Sequence, residues 1–155
     1  ELVERAPKWL GGRAAFLIGT LRALRRYRPV PVALRLDGRL LYQGPLTLVA
    51  AANGRFFGGG MRIAPDARLE DGLLDVVVVP AFSRLRLVRE LPRIYRGTHL
   101  HVDEVIFARG RRLEVEAEPG AARIEVDGEP LGCAPASIEL LPGALRLRHP
   151  EGPGA

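Results

Sequence analysis

Several residue types are almost absent from this chain of 155 residues. Cys, Met, Asn and Gln occur once each, and a single lysine stands beside 22 arginines. One cysteine, Cys133, excludes an internal disulfide framework and fits a reducing cytoplasm. No apolar run approaches the ~20 residues that a membrane-spanning helix needs. These absences argue against a disulfide-rich secreted domain and against a transmembrane segment.

The overall composition is that of a folded domain. Apolar residues make up 47% and charged residues 26% of the chain, which is close to the globular norm. We predict one domain over residues 1–149 and a frayed Gly/Pro-rich tail over 150–155. The chain begins at Glu1, its only methionine is Met61, and it shows no secretory signal pattern. We therefore expect it to be part of a longer protein.

The positive charge lies in one segment. Residues 1–28 hold seven basic and two acidic side chains, which accounts for the whole net charge of +5. Leu17, Leu21 and Leu24 recur at helical spacing, so we predict an amphipathic helix over 13–28 with an arginine-rich outer face. Such a helix could lie on an anionic membrane surface. The commoner alternative is a helix packed on its own domain with a solvated basic face.

The rest of the chain alternates with a period of two and predicts a mainly β domain, an antiparallel β-sandwich or flattened barrel. Asp37-Gly38, Asp127-Gly128 and Pro142-Gly143 supply the turns. One mid-chain helix is predicted from an N-cap at Ser83 to about residue 95, kinked or shortened by Pro92 and ended by Gly97. We predict strands at 30–37, 39–43, 46–52, 73–79, 102–108, 112–118, 123–126, 137–141 and 144–148.

Two carboxylate turns and a glycine loop are candidates for chemistry. Asp71 lies in a turn where neighbouring carbonyls could help it bind a hard cation such as Mg²⁺, although an ordinary Asp-Gly turn explains it as well. Asp127 and Glu129 flank Gly128 at a strand end, where one carboxylate could accept a proton. An ordinary hairpin turn, ended by a proline, is the alternative. The loop Gly58-Gly59-Gly60 lacks the spacing of the known phosphate-binding motifs.

The order of these motifs is more informative than each motif alone. The chain contains Asn-Gly-Arg-Phe-Phe-Gly-Gly-Gly-Met from residue 53 and Ala-Pro-Asp-Ala-x-Leu-x-Asp-Gly-Leu-Leu-Asp from residue 64. Tyr-Arg-Gly-Thr-His follows at 95, Val-Asp-Gly-Glu-Pro at 126 and Leu-Pro-Gly-Ala-Leu at 141. In this order they resemble the C-terminal domain of the bacterial diacylglycerol kinase family. These lipid kinases are related to sphingosine kinases and, more distantly, to NAD kinases.

The resemblance implies a role for each motif. Glu129 would be the proton acceptor for the lipid hydroxyl, with Asp127 beside it. A structural Mg²⁺ would be held by the Asp71 carboxylate and by the main-chain carbonyls of Arg68 and Leu73. ATP would be the co-substrate, with Asn53, Gly58, Gly59 and Gly60 lining the cleft where nucleotide and lipid meet. The implied fold is a β-sandwich.

The family's N-terminal domain, with its Gly-Gly-Asp-Gly-Thr nucleotide loop, has no counterpart in this chain. We therefore predict that this chain is half of a lipid kinase and is inactive when isolated. Its expected partners are the N-terminal domain and a lipid substrate. A homodimer is one possible oligomeric state. Alternatives are a sphingoid-base or NAD kinase, or a non-catalytic sandwich that binds lipid or anionic membrane through residues 1–28. Nucleic acid is a poor candidate, because aromatics are only 6% of the chain and the strands show no stacking stripe.

Overall fold

A computed structural model describes residues 27–145 of the chain. Six of its strands form one antiparallel sheet in the order β4-β3-β2-β1-β5-β8, and β6 and β7 form a separate hairpin. These strands do not close into a barrel. The mainly β, antiparallel architecture is thus confirmed. The elements are β1 (Val30–Leu36), β2 (Arg39–Ala52), β3 (Leu74–Pro80), α1 (Arg84–Arg96), β4 (Ile106–Gly110), β5 (Arg112–Ala117), β6 (Arg123–Val126), β7 (Glu129–Cys133) and β8 (Ala136–Glu139).

The first hairpin forms where the sequence predicts it. Asp37 and Gly38 both have positive φ, 50° and 78°, which is the backbone that a two-residue hairpin turn requires. The Asp37 carboxylate also accepts the main-chain N–H groups of Arg111 and Arg112, at 3.0 and 2.9 Å. Two strands were predicted after this turn. The structure instead has one 14-residue strand, β2, because Gly44 and Pro45 also pair with β1.

β3 is buried on both faces, as its apolar run predicts. Val76, Val77 and Val78 have no exposed surface. Because successive strand residues point to opposite faces, Val76 and Val78 enter one apolar cluster and Val77 and Val79 a second. The first cluster is completed by Ala134, next to the β6–β7 hairpin, and the second by the loop residues around Ile63 and by Phe82 and Val102. The sheet is therefore covered on both sides, which gives a sandwich-like arrangement.

α1 begins and ends at the predicted residues. The Ser83 hydroxyl accepts the N–H of Arg86 at 3.3 Å, and Gly97 ends the helix in the left-handed conformation at φ 74°. The predicted shortening at Pro92 is wrong, because the helix continues to Arg96. Proline has no N–H to donate to the carbonyl of Val88, one turn earlier in the helix. Both residues are exposed, so water can donate to that carbonyl instead. No helix within residues 27–145 is long and apolar enough to cross a membrane.

Other predicted boundaries are wrong for local reasons. The strand expected at 102–108 begins only at Ile106, because a 3₁₀ turn, His99–His101, and a further turn from Val102 to Val105 precede it. β7 was not predicted, since a proline lies inside it. Pro130 is tolerated there because a two-stranded hairpin has a free edge for a residue without an N–H.

The predicted helix over 13–28 lies outside the described residues apart from 27 and 28, which are irregular. Of the predicted strand 144–148, residues 144 and 145 are irregular and the others lie outside.

The buried residue His99 should make the free energy of unfolding depend on pH. The residue is 2% exposed, and Nε2 donates to the Ile63 carbonyl at 3.0 Å. Burial lowers the pKa of His99, against the opposing effect of its main-chain hydrogen bonds. As pH falls through about 6.5, His99 is protonated in the unfolded chain but not yet in the folded chain. The free energy of unfolding should therefore decrease as pH drops below that value. The expected slope is up to about 1.4 kcal/mol per pH unit.

The measurement is the free energy of unfolding in urea from about pH 7.5 to pH 5.5. His99→Gln should flatten the slope, because the titrating group is gone. His101→Gln is the matched control, since His101 is exposed and its removal should leave the slope unchanged. Equal slopes in the two variants would exclude His99 as the source.

Candidate functional site

The glycine loop is a tight turn held at its base by a short bridge. Phe57 and Met61 exchange two main-chain hydrogen bonds, each 3.0 Å long, and the three glycines between them have φ of 34°, 68° and 91°. A Cβ at Gly60 would meet nothing within 4 Å. Glycine at position 60 is therefore favoured by the backbone conformation, not by a crowded neighbour. The loop is exposed, so its main chain is open to a partner.

Two arginines fix the segment that follows the glycine loop. Arg55 Nε donates to the Ala67 carbonyl at 3.0 Å, and Arg109 Nη2 donates to the Asp66 carbonyl at 3.3 Å. Ile63 and Ala67 are buried between these contacts. The 63–67 segment is thus held on the sheet. The nearby Asn53 Oδ1 is buried and has no hydrogen-bond partner among the described residues, which leaves an acceptor for a donor group of a ligand or water.

A buried ion pair underlies this region. Arg109 Nε lies 3.0 Å from Asp75 Oδ1, and the Asp75 side chain is 1% exposed. The hydrogen bond to Asp75, then its charge and those of Asp71 and Asp66, raise the pKa of Arg109. This pair was not predicted from the sequence. The available signal was an aspartate inside the apolar run of β3, but its partner is 34 residues away.

The structure gives Asp71 the geometry of a local turn. Its Oδ1 accepts the N–H of Leu73 at 3.0 Å, and Gly72 has φ 71°. Gly72 also approaches the Pro142 ring, which a Cβ there would meet at 3.6 Å. No cluster of three or more His, Cys, Asp or Glu side chains suited to a metal occurs within residues 27–145. A cation here would depend on one carboxylate and on main-chain carbonyls such as those of Arg68 and Leu73, a donor set that suits a hard ion.

The Asp71 turn and a bound cation predict different melting behaviour. Asp71→Asn keeps an oxygen acceptor for the Leu73 N–H but removes the charge, whereas Asp71→Ala removes both. With a cation, Mg²⁺ should raise the melting temperature of the wild type and of neither variant. Asp71→Ala alone should also lose about 1 kcal/mol without Mg²⁺. Thermal melts with and without Mg²⁺ check this, with the exposed Asp103→Ala as control. Equal Mg²⁺ shifts in all four proteins would contradict a site at Asp71.

Asp127 and Glu129 lie at the tip of the β6–β7 hairpin. Asp127 and Gly128 have φ of 51° and 88°, and Glu129 pairs with Val126 across the turn. Both carboxylates are exposed. The hairpin also exposes apolar side chains, with Leu131 73% and Val126 49% exposed. A carboxylate and an apolar surface therefore occur together on an accessible element.

The predicted site residues lie outside two open grooves of the described part of the domain. One open groove of about 500 Å³ lies beside the β1–β2 hairpin, and a second of about 410 Å³ lies across β1, β2 and β5. Neither is lined by the glycine loop, by Asp71 or by Glu129. The structure confirms the turns that carry the candidate residues, and their functional roles stay predictions.

The sequence of this chain matches a known protein family and resembles several known proteins. Residues 2–149 match the family described as the YegS C-terminal NAD kinase beta sandwich-like domain. The protein named Diacylglycerol kinase of Mycobacterium tuberculosis (strain H37Rv) is 38% identical over 144 residues, which are 93% of this chain and 46% of that protein. The Chromohalobacter salexigens protein named "Probable lipid kinase YegS-like" is 38% identical, over 92% of this chain and 45% of its own length.

A solved structure agrees with these relatives. The crystal structure of a diacylglycerol kinase from Bacillus anthracis str. Sterne superposes with a TM-score of 0.60 at 26% identity, over 80% of this chain and 42% of that one. The chain thus spans about half the length of the curated relatives that it matches.

Proposed function

Because the chain belongs to the family of YegS C-terminal NAD kinase beta sandwich-like domains, we propose that it is the C-terminal half of an ATP-dependent lipid kinase. The relative named Diacylglycerol kinase, 38% identical over 93% of this chain, supports diacylglycerol or a similar lipid alcohol as substrate. The matched region is only 46% of that relative. We therefore propose that an N-terminal nucleotide-binding domain completes the enzyme, and that the domain is inactive without it.

The observation that carries this proposal is the exposed Asp-Gly-Glu turn on the β6–β7 hairpin. When an alcohol attacks the γ-phosphate of ATP, the new O–P bond forms as the bond to ADP breaks, and the hydroxyl proton must leave. A positioned carboxylate can accept that proton. Glu129 is exposed at the turn and can take this role, with Asp127 as a neighbour that orients the substrate hydroxyl.

The hairpin also offers a surface for the lipid. Leu131 and Val126 are exposed apolar side chains on the strands that carry the turn. An acyl chain that covered them would gain hydrophobic contact close to the hydroxyl-activating carboxylate. We infer that the lipid lies along this hairpin, in a cleft closed from the other side by the N-terminal domain. The two grooves described above lie elsewhere on the domain, and we propose that the lipid cleft forms when the two halves come together.

The nucleotide side is proposed for the glycine loop. The exposed main chain of Gly58, Gly59 and Gly60 can approach phosphate without a side chain in the way, and the buried Asn53 oxygen can accept a nucleotide hydroxyl or amine. Mg²⁺ bound at Asp71 would supply a structural charge that fixes the loop from Arg68 to Leu73. Most contacts to the phosphates are expected from the N-terminal domain, because phosphoryl transfer depends chiefly on positioning and charge stabilisation there.

Two other functions are separable by experiment. A sphingoid-base or NAD kinase would use the same fold on another acceptor. A non-catalytic sandwich would bind lipid or anionic membrane through residues 1–28, which carry the whole net charge. The test uses the protein with the domain encoded upstream of Glu1, labelled ATP and three acceptors, namely diacylglycerol, sphingosine and NAD. Transfer to diacylglycerol in preference to the others is expected. Preferred transfer to sphingosine or NAD would replace the substrate, and no transfer to any acceptor would favour the binding protein.

A further inference from the structure

α1 carries an unusual concentration of positive charge on the outside of the domain. Its 13 residues contain five arginines and one glutamate, a net charge of +4. Arg84 donates a hydrogen bond to the Tyr27 carbonyl, and Arg86 donates one to the Glu104 carboxylate. Arg93 forms an ion pair with Glu90. Arg89 and Arg96 form no ion pair within residues 27–145. Two guanidinium groups therefore remain available to an outside partner.

The same helix exposes an apolar stripe. Leu85, Val88 and Pro92 follow one another at intervals of three and four residues, so they lie on one face. Leu85 is 81% and Val88 41% exposed, and Pro92 is also exposed. Arg89 and Arg96 each follow a member of the stripe by four residues and border it. An exposed apolar stripe with an arginine border is the pattern of a helix that lies in a membrane interface.

The domain holds this helix face outward. Leu87 packs on the second apolar cluster, and Glu90 on the same side is buried. At the other end, Arg62 N–H donates to the Ile94 carbonyl at 3.0 Å, and Gly97 fits tightly against Pro65, which a Cβ would meet at 2.8 Å. The helix therefore cannot turn its apolar stripe inward. It presents a preformed surface about 20 Å long.

We propose that this face of α1 is a membrane-docking surface for anionic lipid. Arg89 and Arg96 bind phosphate groups, while Leu85, Val88 and Pro92 enter the boundary between headgroups and acyl chains. The inference rests on the proposed function, because a kinase of a lipid alcohol must reach a substrate dissolved in a bilayer. An anionic membrane fits better than nucleic acid, since the exposed centre of the face is aliphatic and the neighbouring Tyr95 is partly buried.

The experiment is vesicle co-sedimentation of the 155-residue chain, with phosphatidylcholine vesicles that contain or lack phosphatidylglycerol. Binding should need the anionic lipid and weaken at high salt. Arg89→Gln with Arg96→Gln should lower the partition coefficient about 25-fold, at about fivefold per charge. Leu85→Gln should lower it about tenfold. The control is Arg39→Gln with Arg111→Gln, which removes two exposed charges outside α1 and should change binding far less.

Three results would overturn the docking surface. The first is equal vesicle binding by the double variant Arg89→Gln with Arg96→Gln, called the α1 variant below, and by its control. The second is binding that disappears only when arginines within residues 1–28 are replaced. The third is binding of an RNA oligonucleotide, but not of vesicles, that the α1 variant loses.

Failure of the docking surface can be told apart from failure of the kinase proposal. In the protein that includes the upstream domain, the α1 variant should keep phosphate transfer to diacylglycerol dispersed in detergent and lose it on vesicles. Transfer that is unchanged on vesicles overturns the docking surface and leaves the kinase in place. If vesicle binding depends on α1 but no transfer occurs even in detergent, the kinase proposal fails and the surface remains.

Discussion

Replacement of Glu129 by glutamine is expected to lower kcat of the proposed two-domain kinase by about 10²–10⁴-fold, because the alcohol would lose the proton acceptor that we propose. The amide has nearly the same shape and can still form a hydrogen bond, so the lipid should bind and KM should change little. A loss in kcat at constant KM indicates an interaction made only in the transition state. Initial rates of phosphate transfer over a range of diacylglycerol concentrations would measure both constants.

The matched control for this experiment is Glu118→Gln. Glu118 is an exposed glutamate in the turn before β6, and its carbonyl accepts the N–H of Ala121. Its substitution removes the same charge elsewhere and should leave kcat within about twofold, as expected for a surface change. Since Glu129 is also exposed, both variants should melt like the wild type. Turnover by Glu129→Gln at the control rate would remove Glu129 from the role of base.

Arg109→Leu is expected to destabilise the domain more than any other substitution that we predict. Asp75 is 1% exposed, its Oδ1 depends on Arg109 Nε at 3.0 Å, and its Oδ2 is buried without a partner among the described residues. Removal of the guanidinium would leave a buried carboxylate with no countercharge. It would also release the Asp66 carbonyl and loosen the 63–67 segment. Arg109 is itself 37% exposed, so the expected loss lies at the low end for a broken buried pair.

A double-mutant cycle separates the ion pair from the packing of Arg109. Asp75→Asn should cost only about 1 kcal/mol, because a partly exposed arginine can be hydrated when its partner is neutral. In Arg109→Leu with Asp75→Asn the buried charge is gone, so the double variant should lose about 1–2 kcal/mol less than the two single losses together. Arg111→Leu replaces a neighbouring exposed arginine and serves as control. Urea unfolding of all variants would measure these energies, and strictly additive losses would show that the pair is not coupled.

Local features of the fold were predictable because their causes lie within a few residues. Asp37-Gly38 and Asp127-Gly128 form hairpin turns since both positions accept positive φ. Ser83 and Gly97 cap α1 by contacts with their immediate neighbours. The β-branched run of β3 predicts a strand buried on both faces. For the turns and the helix caps, the sequence neighbours are also the structural partners.

Features set by distant partners were not predictable. Pro130 suggests a strand end, and only the free edge of the β6–β7 hairpin explains why β7 continues through it. Residues 44 and 45 were likewise left outside the predicted strands, yet their pairing with β1 continues β2 through them. The Arg109–Asp75 pair joins strands that are 34 residues apart. In the candidate site, the turns at Asp71 and Glu129 were predictable as backbone, whereas their roles depend on the family resemblance.

The central claim is that this chain supplies the lipid-side half of a kinase and needs a separate nucleotide-binding half. The most direct measurement is transfer of labelled γ-phosphate from ATP to diacylglycerol, by the 155-residue chain alone and by the same chain joined to the domain encoded upstream of Glu1. We expect no transfer by the isolated chain and transfer by the joined protein. Phosphorylation of diacylglycerol by the isolated chain, or its absence in a folded two-domain protein, would contradict it.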